Sequence, residues 1–301
     1  MDQHLQVFVT VAEKENFSRA AEELHMTQPA VSQYIRTFEQ RIGTRLLERS
    51  NKYVRLNKAG EIVYHHAKEI LGLYTTMQNL VDDLVNKANG PLSIGASYTF
   101  GEYVLPRIVA KLLEVYPAIQ PEVTIGNTSE IADLVATHQL DVGIVEGHFK
   151  DQQLRIEEFA EDKMVVVASA NHTLVNKKSV EIQDLESETW IVREKGSGTR
   201  EATENMFHHL ELSPQKLMNF GSTQPIKEAV EAGLGISLLS QWAIQKELQN
   251  EDLKIIDITG LPFTRQFSIV TKSRFQTKAL EVFLGLLRHD KVLTTLGKTS
   301  F

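Results

Sequence analysis

The sequence predicts an α/β protein with a separate all-helical module at its N-terminus and a long helix between the two. Three observations support this prediction. Residues 1–58 contain short segments with apolar residues at helical spacing, residues 59–88 carry a heptad pattern, and from residue 89 short apolar strands alternate with amphipathic helices. A chain of 301 residues is long enough for two or three domains, each with its own core.

The charge of the chain is distributed unevenly. Its formal net charge is −7, but residues 1–58 hold nine Lys/Arg and seven Asp/Glu, so this part carries +2 and the remainder −9. Residues 36–58 alone hold seven basic and two acidic residues. A basic cluster on an acidic chain indicates a phosphate-contacting module joined to a domain of another kind. Taken alone, such a run is more often a solvated charged face, but its position directly after two predicted helices favours phosphate contact.

Composition excludes several classes of site. The chain has no cysteine, which rules out disulfides, thiolate metal sites and Cys nucleophiles and suits a reducing compartment. No apolar run approaches the ~20 residues that cross a bilayer. The start, MDQHLQ, lacks the basic and apolar regions of a signal peptide. We therefore expect a cytoplasmic protein with no membrane partner.

The N-terminal module reads as three helices followed by a hairpin. A first helix is predicted over Asp2–Lys14, Ser18 is expected to cap the second, and Thr27 the third, with Pro29 in its first turn. One face of the third helix is an apolar stripe that should be buried, formed by Val31, Ile35, Phe38 and Ile42. Strands at 46–49 and 53–56 would form a basic wing, so the module is predicted to be a winged helix-turn-helix whose polar helix face fits a DNA major groove.

The long helix that follows carries a heptad seam about three heptads long. Its members are Val63, Ala67, Ile70, Tyr74, Met77, Val81 and Leu84. Packing of this helix on its own domain is the simpler explanation. Dimerisation is favoured because a helix between two domains has no core of its own to cover such a seam.

The remainder alternates between strands and helices, which predicts a mostly parallel sheet with helices on both faces. Strands are expected at 92–96, 122–126, 141–145, 163–169, 189–192, 235–239 and 267–272. Helices are expected near 105–112, 129–137, 200–210, 225–232, 241–248 and 277–287. Asn89-Gly90-Pro91 is the predicted linker into this part.

Four strand-to-helix loops of this part are rich in hydroxyl groups and glycine. They are Ser97-Tyr98-Thr99, Asn127-Thr128-Ser129, Gly196-Ser197-Gly198-Thr199-Arg200 and Ser222-Thr223-Gln224. In α/β sheets ligands bind outside the carboxyl ends of the strands, where helix N-termini favour anions. Each hydroxyl alone could be only a helix cap, but four such loops together predict an anion pocket in which Arg200 could pair with the ligand.

The patterns typical of catalysis are missing from the sequence. It contains no GxxxxGK[ST], GxSxG or HExxH pattern, and its adjacent histidine pairs point apart on a helix. We therefore expect no enzyme activity, no cofactor and no metal. An enzyme on the α/β part, and a small-molecule receptor whose N-terminal helices only dimerise, are the alternatives.

Four stretches resemble LysR-type transcriptional regulators, and the resemblance covers nearly the whole chain. The family's helix-turn-helix signature is matched by FSRAAEELHMTQPAVSQYIRTFEQRIGTRLLER and then VRLNKAG, in which Asn57 stands where the family more often has Thr. REKGSGTRE and GSTQPIKEAVEAGLGISLL resemble effector domains of the branch that includes regulators of sulfite reductase and of carbon fixation.

This resemblance implies a division into domains. A winged helix-turn-helix DNA-binding domain would span 1–58, a linker and dimerisation helix 59–88, and an effector-binding domain 89–301. The last would have two lobes like those of periplasmic binding proteins, lobe 1 at about 91–161 and 266–290 and lobe 2 at about 162–265.

The resemblance also implies the site residues. Those expected to contact DNA are Gln28, Pro29, Ser32, Gln33 and Arg36 in the major groove, with Arg49, Lys52 and Arg55 toward the backbone. Those expected to line the effector cleft are Ser97, Thr99, Thr128, Ser129, Ser197, Thr199 and Thr223, with Arg200 at its edge.

The sequence thus predicts a DNA-binding transcriptional regulator that responds to a small anionic metabolite held between two α/β lobes. Its expected partners are double-stranded promoter DNA, the effector, further copies of itself as a dimer or a dimer of dimers, and RNA polymerase. The sequence leaves open which anion is sensed, which genes are controlled and whether they are activated or repressed; sulfur metabolism follows from the branch resemblance alone.

Overall fold

A computed structural model describes residues 3–49, 53–83, 88–147, 151–177, 179–272 and 276–289 of the chain. The chain divides into two compact units. The first comprises Met1–Val85 with Thr137–Gln139, and the second Asn86–Ala136 with Leu140–Phe301.

The first unit contains three helices, a hairpin and a long helix. These are α1 (Gln3–Lys14), α2 (Phe17–Glu23), α3 (Gln28–Ile42), β1 (Leu47–Arg49), β2 (Val54–Leu56) and α4 (Lys58–Asp83). The strands β1 and β2 pair antiparallel, which confirms the wing. The helices enclose a core in which Phe8 of α1 lies against Phe38 of α3, with ring centroids 5.4 Å apart.

Two details of this unit differ from the prediction. Asn16, and not Ser18, caps α2, because its Oδ1 accepts hydrogen bonds from the N–H groups of Ser18 (2.9 Å) and Arg19 (3.1 Å). In α3, Val31, Ile35 and Phe38 are buried as expected, but Ile42 is 44% exposed because it is the last residue of the helix. The Thr27 cap is confirmed by a 3.4 Å bond to its Oγ1 from the N–H of Ala30.

The apolar residues of α4 fall into two groups. Val63 and Ala67 pack on the core of the first unit, so the beginning of the heptad seam covers the helix's own domain. Farther along, the exposed apolar residues of the helix are Ile70, Leu73, Met77 and Val81. Leu84 lies outside the described residues. The seam is therefore shared between an internal contact and a solvent-exposed apolar surface.

The second unit is an α/β structure. Its strands are β3 (Gly90–Ser97), β4 (Ile119–Gly126), β5 (Val142–Glu146), β6 (Arg155–Ser169), β7 (Thr189–Arg193), β8 (Lys216–Phe220), β9 (Ser237–Ser240), β10 (Leu253–Ile255) and β11 (Phe263–Thr271). Its helices are α5 (Tyr98–Tyr103), α6 (Leu105–Val115), α7 (Thr128–Ala136), α8 (Ile182–Ser187), α9 (Gly198–His209), α10 (Thr223–Glu231), α11 (Gln245–Gln249) and α12 (Lys278–His289), with a 3₁₀ turn at Thr173–Asn176. The sequence prediction missed α5, α8, β8 and β10.

The larger sheet is mixed and most of its strand pairs are antiparallel, so the prediction of a mostly parallel sheet is wrong. The larger sheet has the strand order β10-β6-β11-β5-β3-β4, with β9 also paired to β6. Only the β3–β4 and β3–β5 pairs of this sheet are parallel, and β7–β8 form a separate parallel pair. The difference arises from β6 and β11, two long strands that pair antiparallel along their whole shared length.

These two strands connect two lobes, each with its own core. Phe100, Ile108 and Phe283 belong to one core, whereas Trp190, Met206 and Leu238 belong to the other. The strand β6 leads from the first lobe to the second and β11 leads back. The carboxyl ends of β3, β4 and β5 meet at one edge of the first lobe, because these strands run parallel.

The corrected cap gives a direct test of the first unit. We expect Asn16→Ala to lower the free energy of unfolding by about 1 kcal/mol, because two backbone N–H groups of α2 lose their acceptor. Ser18→Ala is the matched control and should leave stability almost unchanged. Urea denaturation of both variants checks this, and a larger loss for Ser18→Ala would contradict the assignment.

Candidate functional site

The outer face of α3 carries the polar residues expected in a DNA groove. Gln28, Pro29, Gln33 and Arg36 are exposed, and Ser32 is half-exposed. The amide Nε2 of Gln28 donates a 3.0 Å hydrogen bond to Ser32 Oγ, which orders two of these side chains relative to each other. The face thus offers amide, hydroxyl and guanidinium groups, the types that read base edges.

The wing is fixed to α3 by one carboxylate. Glu39 Oε1 accepts hydrogen bonds from the N–H groups of Leu46 (2.9 Å) and Leu47 (3.3 Å), and Arg49 Nη2 donates to its Oε2 (3.0 Å). The Arg49 guanidinium also lies 4.9 Å from the centroid of the Phe17 ring. Arg49 therefore anchors the wing to α3 and α2. The sequence had predicted only a contact of Arg49 with the DNA backbone.

A groove of about 600 Å³ lies beside α3 and the wing. Its charged lining consists of three guanidinium groups, from Arg36, Arg45 and Arg49, and the two carboxylates of Glu39 and Glu48, and Tyr53 also borders it. The exposed Arg55 guanidinium lies 5.4 Å from the centroid of the Tyr53 ring, on the same hairpin. Lys52, the remaining predicted DNA contact, is outside the described residues. A groove bordered by guanidinium groups matches an electrostatic surface for phosphates.

In the second unit the predicted loops come together. Thr128 Oγ1 donates a 3.0 Å hydrogen bond to the carbonyl of Glu146, at the end of β5. Ser129 N–H donates to the carbonyl of Gly196 (3.2 Å), which joins the second loop to the third across the lobes. A Cβ on Gly198 would lie 2.0 Å from the Glu146 carbonyl oxygen, so only glycine permits this close approach. Ser97 joins the same edge through a 3.3 Å bond to the carbonyl of Ile144.

A buried arginine that the prediction missed connects two of these loops. Arg265 of β11 donates 3.0 Å hydrogen bonds from Nη2 to Thr99 Oγ1 and from Nη1 to Thr199 Oγ1. Thr99 lies in the first lobe and Thr199 at the start of α9 in the second. The guanidinium also pairs with Glu146 and with Asp162, which lies directly across from Arg265 on β6. One side chain therefore joins the two lobes.

The charge in this cluster is unbalanced, because two buried carboxylates share one guanidinium. Burial raises the pKa of Asp162 to about 6, although Arg265 and the Ser240 hydroxyl oppose the rise. Ser240 Oγ donates to Asp162 Oδ1 at 2.6 Å.

Two more buried cations face the first lobe from the second. The Arg193 guanidinium lies 4.3 Å from the Tyr98 ring centroid, and the Lys227 ammonium lies 4.9 Å from that of Tyr103. Lys227 Nζ donates to Glu247 Oε1 at 2.6 Å. Arg193 Nη1 donates to Thr223 Oγ1 at 3.4 Å, which brings the fourth predicted loop to the same cleft. Burial raises the pKa of Tyr103, and also that of the nearby Glu102.

Two predicted residues have structural functions here. Ser197 caps α9, since its Oγ accepts a 3.2 Å hydrogen bond from Thr199 N–H. Arg200 donates to Glu204 (2.6 Å), Asn219 (2.7 Å) and the Arg193 carbonyl (3.1 Å). Its guanidinium thus braces α9 against the ends of β7 and β8.

Residues 3–61 match the family of bacterial regulatory helix-turn-helix proteins of the lysR type, and residues 86–291 match the LysR substrate binding domain. The chain belongs to the LysR family. It is a DNA-binding transcriptional regulator with an effector-binding domain, as the resemblance predicted. Members of this family bind promoter DNA and small effectors and form oligomers.

Individual relatives agree with the predicted branch. The chain is 37% identical to the HTH-type transcriptional regulator CysL of Bacillus subtilis, over 95% of this chain and 96% of that protein. It is 32% identical to the RuBisCO operon transcriptional regulator of Allochromatium vinosum, over 88% of each. Among solved structures it resembles the regulatory domain of Synechocystis CcmR in complex with 2-PG, with a TM-score of 0.62 and 30% identity over 69% of this chain and 99% of that one.

Within the ranges that the structure describes, no helix is both long and apolar enough to cross a membrane.

The Asp162 pKa predicts a pH dependence of stability. The unfolded carboxyl titrates near its ordinary value of 3.8 and the folded one near 6, so between these values the folded state binds more protons. The free energy of unfolding should therefore fall as pH rises from about 4 to about 6, by about 3 kcal/mol from this group.

Urea denaturation across this pH range should show that Asp162→Asn removes this fall. Asp184→Asn is the control. Lys177 lowers the pKa of Asp184, so the contribution of Asp184 to the free energy of unfolding is lost as pH falls, the opposite direction to that of Asp162. Identical pH profiles for Asp162→Asn and the unchanged chain would contradict the prediction.

Proposed function

We propose that this regulator senses a small anion bearing a carboxylate or phosphate, bound in the cleft between the lobes. The observation that carries this proposal is the convergence of three of the four predicted loops on two buried guanidinium groups, those of Arg193 and Arg265. The remaining loop joins them through Thr128, which bonds to the carbonyl of Glu146, whose carboxylate pairs with Arg265. Hydroxyl groups and guanidinium groups together form strong hydrogen bonds to anionic oxygens. The 2-PG complex of CcmR, 2-phosphoglycolate being a small anion, supports the same ligand class.

The proposed effector residues combine predicted and newly observed groups. Thr99, Thr128, Ser129, Thr199 and Thr223 would supply polar contacts and Arg193 the principal charge, while Ser97, Ser197 and Arg200 would hold the loops in place. We propose lobe boundaries at 161/162 and 265/266, which the pairing of Arg265 with Asp162 on the crossing strands supports. The proposed domains are the DNA-binding domain at 1–58, the linker and dimerisation helix at 59–88, and the effector-binding domain at 89–301.

The DNA-reading residues are proposed to be Gln28, Pro29, Ser32, Gln33 and Arg36 on α3. Arg55 would contact the DNA backbone together with Lys52, and Arg49 would reach it from its anchored position. The exposure of the α3 face supports the first set.

The cleft is proposed to bind its ligand without chemical turnover, in the cytoplasm. The relatives reported above carry the names of regulators, which agrees with this function. The effector would act by binding one arrangement of the lobes more tightly, and such coupling typically amounts to ~1–3 kcal/mol.

Arg36 gives the test of DNA reading. We expect Arg36→Ala to weaken binding to the DNA upstream of the protein's own gene by about 1–3 kcal/mol, with dimerisation unchanged. Arg41→Ala removes the same charge from the end of the same helix and should cost less. Footprinting and sedimentation check this, and an unchanged footprint for Arg36→Ala would refute the assignment.

Thr199 gives the test of the cleft. With 2-phosphoglycolate as the probe, Thr199→Ala should lose most of the change in DNA binding caused by the ligand, because its hydroxyl lies where both lobes meet. Thr203→Ala is the matched control, since Thr203 is also buried in α9 but its hydroxyl donates to the Thr199 carbonyl (2.8 Å). Calorimetry showing equal ligand binding by both variants would count against the site.

A further inference from the structure

A carboxylate of the protein itself pairs with one of the buried guanidinium groups of the cleft, that of Arg193. Arg193 Nε donates to Glu194 Oε2 and Arg193 Nη2 to Glu194 Oε1, both at 2.7 Å. This is the parallel two-bond geometry with which arginine recognises carboxylate and phosphate groups in ligands. Glu194 follows β7 directly, so the pair is formed by neighbouring residues at the start of the third loop.

The groups around this carboxylate come from both lobes. The amide Nδ2 of Asn127, in the first lobe, donates to Glu194 Oε1 at 3.5 Å. Thr223 Oγ1 accepts the remaining Arg193 bond, and the ring of Tyr98 covers the guanidinium. The Arg193–Glu194 pair thus contacts Asn127 through its carboxylate and Thr223 and Tyr98 through its guanidinium, all members of the loops in which the sequence predicted the anion.

The two partners of the pair differ greatly in burial. The Arg193 side chain is 2% exposed, whereas that of Glu194 is 31% exposed. A buried guanidinium cannot be left without an anion, because an unpaired charge away from water is very costly. Glu194 can reach water, so it can leave if another anion takes its place. Such an exchange keeps the number of buried charges constant.

We propose that Glu194 is an internal substitute for the effector, and that the carboxylate or phosphate of the ligand displaces it from Arg193. The inference rests on the proposed function and names the anchoring residue of the same cleft. On displacement, Glu194 turns to solvent and its bond with Asn127 is lost. The contact between the lobes is then made by the ligand, so occupancy of the cleft changes what holds the lobes together.

The chain supplies a matched control for this proposal. Arg200 and Glu204 form a second Arg–Glu pair, on α9, with a 2.6 Å bond. Glu204 is 54% exposed, and the other hydrogen bonds of its partner Arg200 go to Asn219 and to the Arg193 carbonyl. Glu204→Gln removes one negative charge, as Glu194→Gln does, but it leaves the ion pair between Arg193 and Glu194 intact.

The experiment measures binding of inorganic phosphate to the full chain by calorimetry, without DNA. Glu194→Gln should bind phosphate roughly tenfold more tightly than the unchanged chain, a factor that corresponds to about 1.4 kcal/mol. Glu204→Gln should bind it like the unchanged chain. Adding Arg193→Met to Glu194→Gln should abolish the gain. If Glu194→Gln does not fold, Glu194→Asp, which keeps the charge but shortens the side chain, should show a smaller gain in the same assay.

Two results would overturn the proposal. One is phosphate binding to the Glu194 variant that is no tighter than to the unchanged chain, and the other is a gain that persists when Arg193 is replaced. Either result leaves the Thr199 test unaffected, because that test follows the response of DNA binding to 2-phosphoglycolate. A different outcome is that Thr199→Ala leaves the response to 2-phosphoglycolate unchanged, while the gain in phosphate binding by Glu194→Gln still depends on Arg193. That outcome would refute the proposed effector cleft and retain the anion site at Arg193.

Discussion

The buried guanidinium of Arg265 imposes the strongest constraint on the effector-binding domain. It lies on a strand that crosses between the lobes, and a charge removed from water must be surrounded by acceptors. The structure provides them from three directions, with Asp162 across the strand pair, Glu146 at the end of β5, and the hydroxyls of Thr99 and Thr199. The ends of a strand and of two helices are thereby positioned around one side chain.

This arrangement explains why the predicted loops meet. The hydroxyl groups of Thr99 and Thr199 belong to different lobes, yet both accept bonds from the same guanidinium. A change in the relative position of the lobes must lengthen at least one of these bonds. Because buried polar groups that lose their partners are costly, the lobes should prefer a few discrete arrangements over a continuous range. A ligand can select among such arrangements.

Sequence reasoning worked for most of the local signals in α3. The Thr27 cap, Pro29 in the first turn and the buried Val31 and Ile35 all lie within a few residues of one another, and the structure confirms each of them. It failed where a long-range contact decided the outcome. Arg265 is separated from Thr99 by 166 residues, and nothing in its local pattern distinguishes it from a surface arginine. The antiparallel pairing of β6 with β11 was missed for the same reason, since it joins distant segments.

The oligomers that LysR-family members form bring more than one α3 to the DNA. A single α3 offers few base contacts, whereas specific binding at 10⁻⁸ M or tighter needs more, typically from two half-sites. Ile70, Met77 and Val81 leave an exposed apolar surface on α4, which is the part of the heptad seam that the helix's own domain does not cover. Pairing through this surface would place two reading helices on one DNA. Coupling of ~1–3 kcal/mol between the effector and the DNA changes the affinity of the oligomer for such a site about 5- to 150-fold, which suffices for regulation.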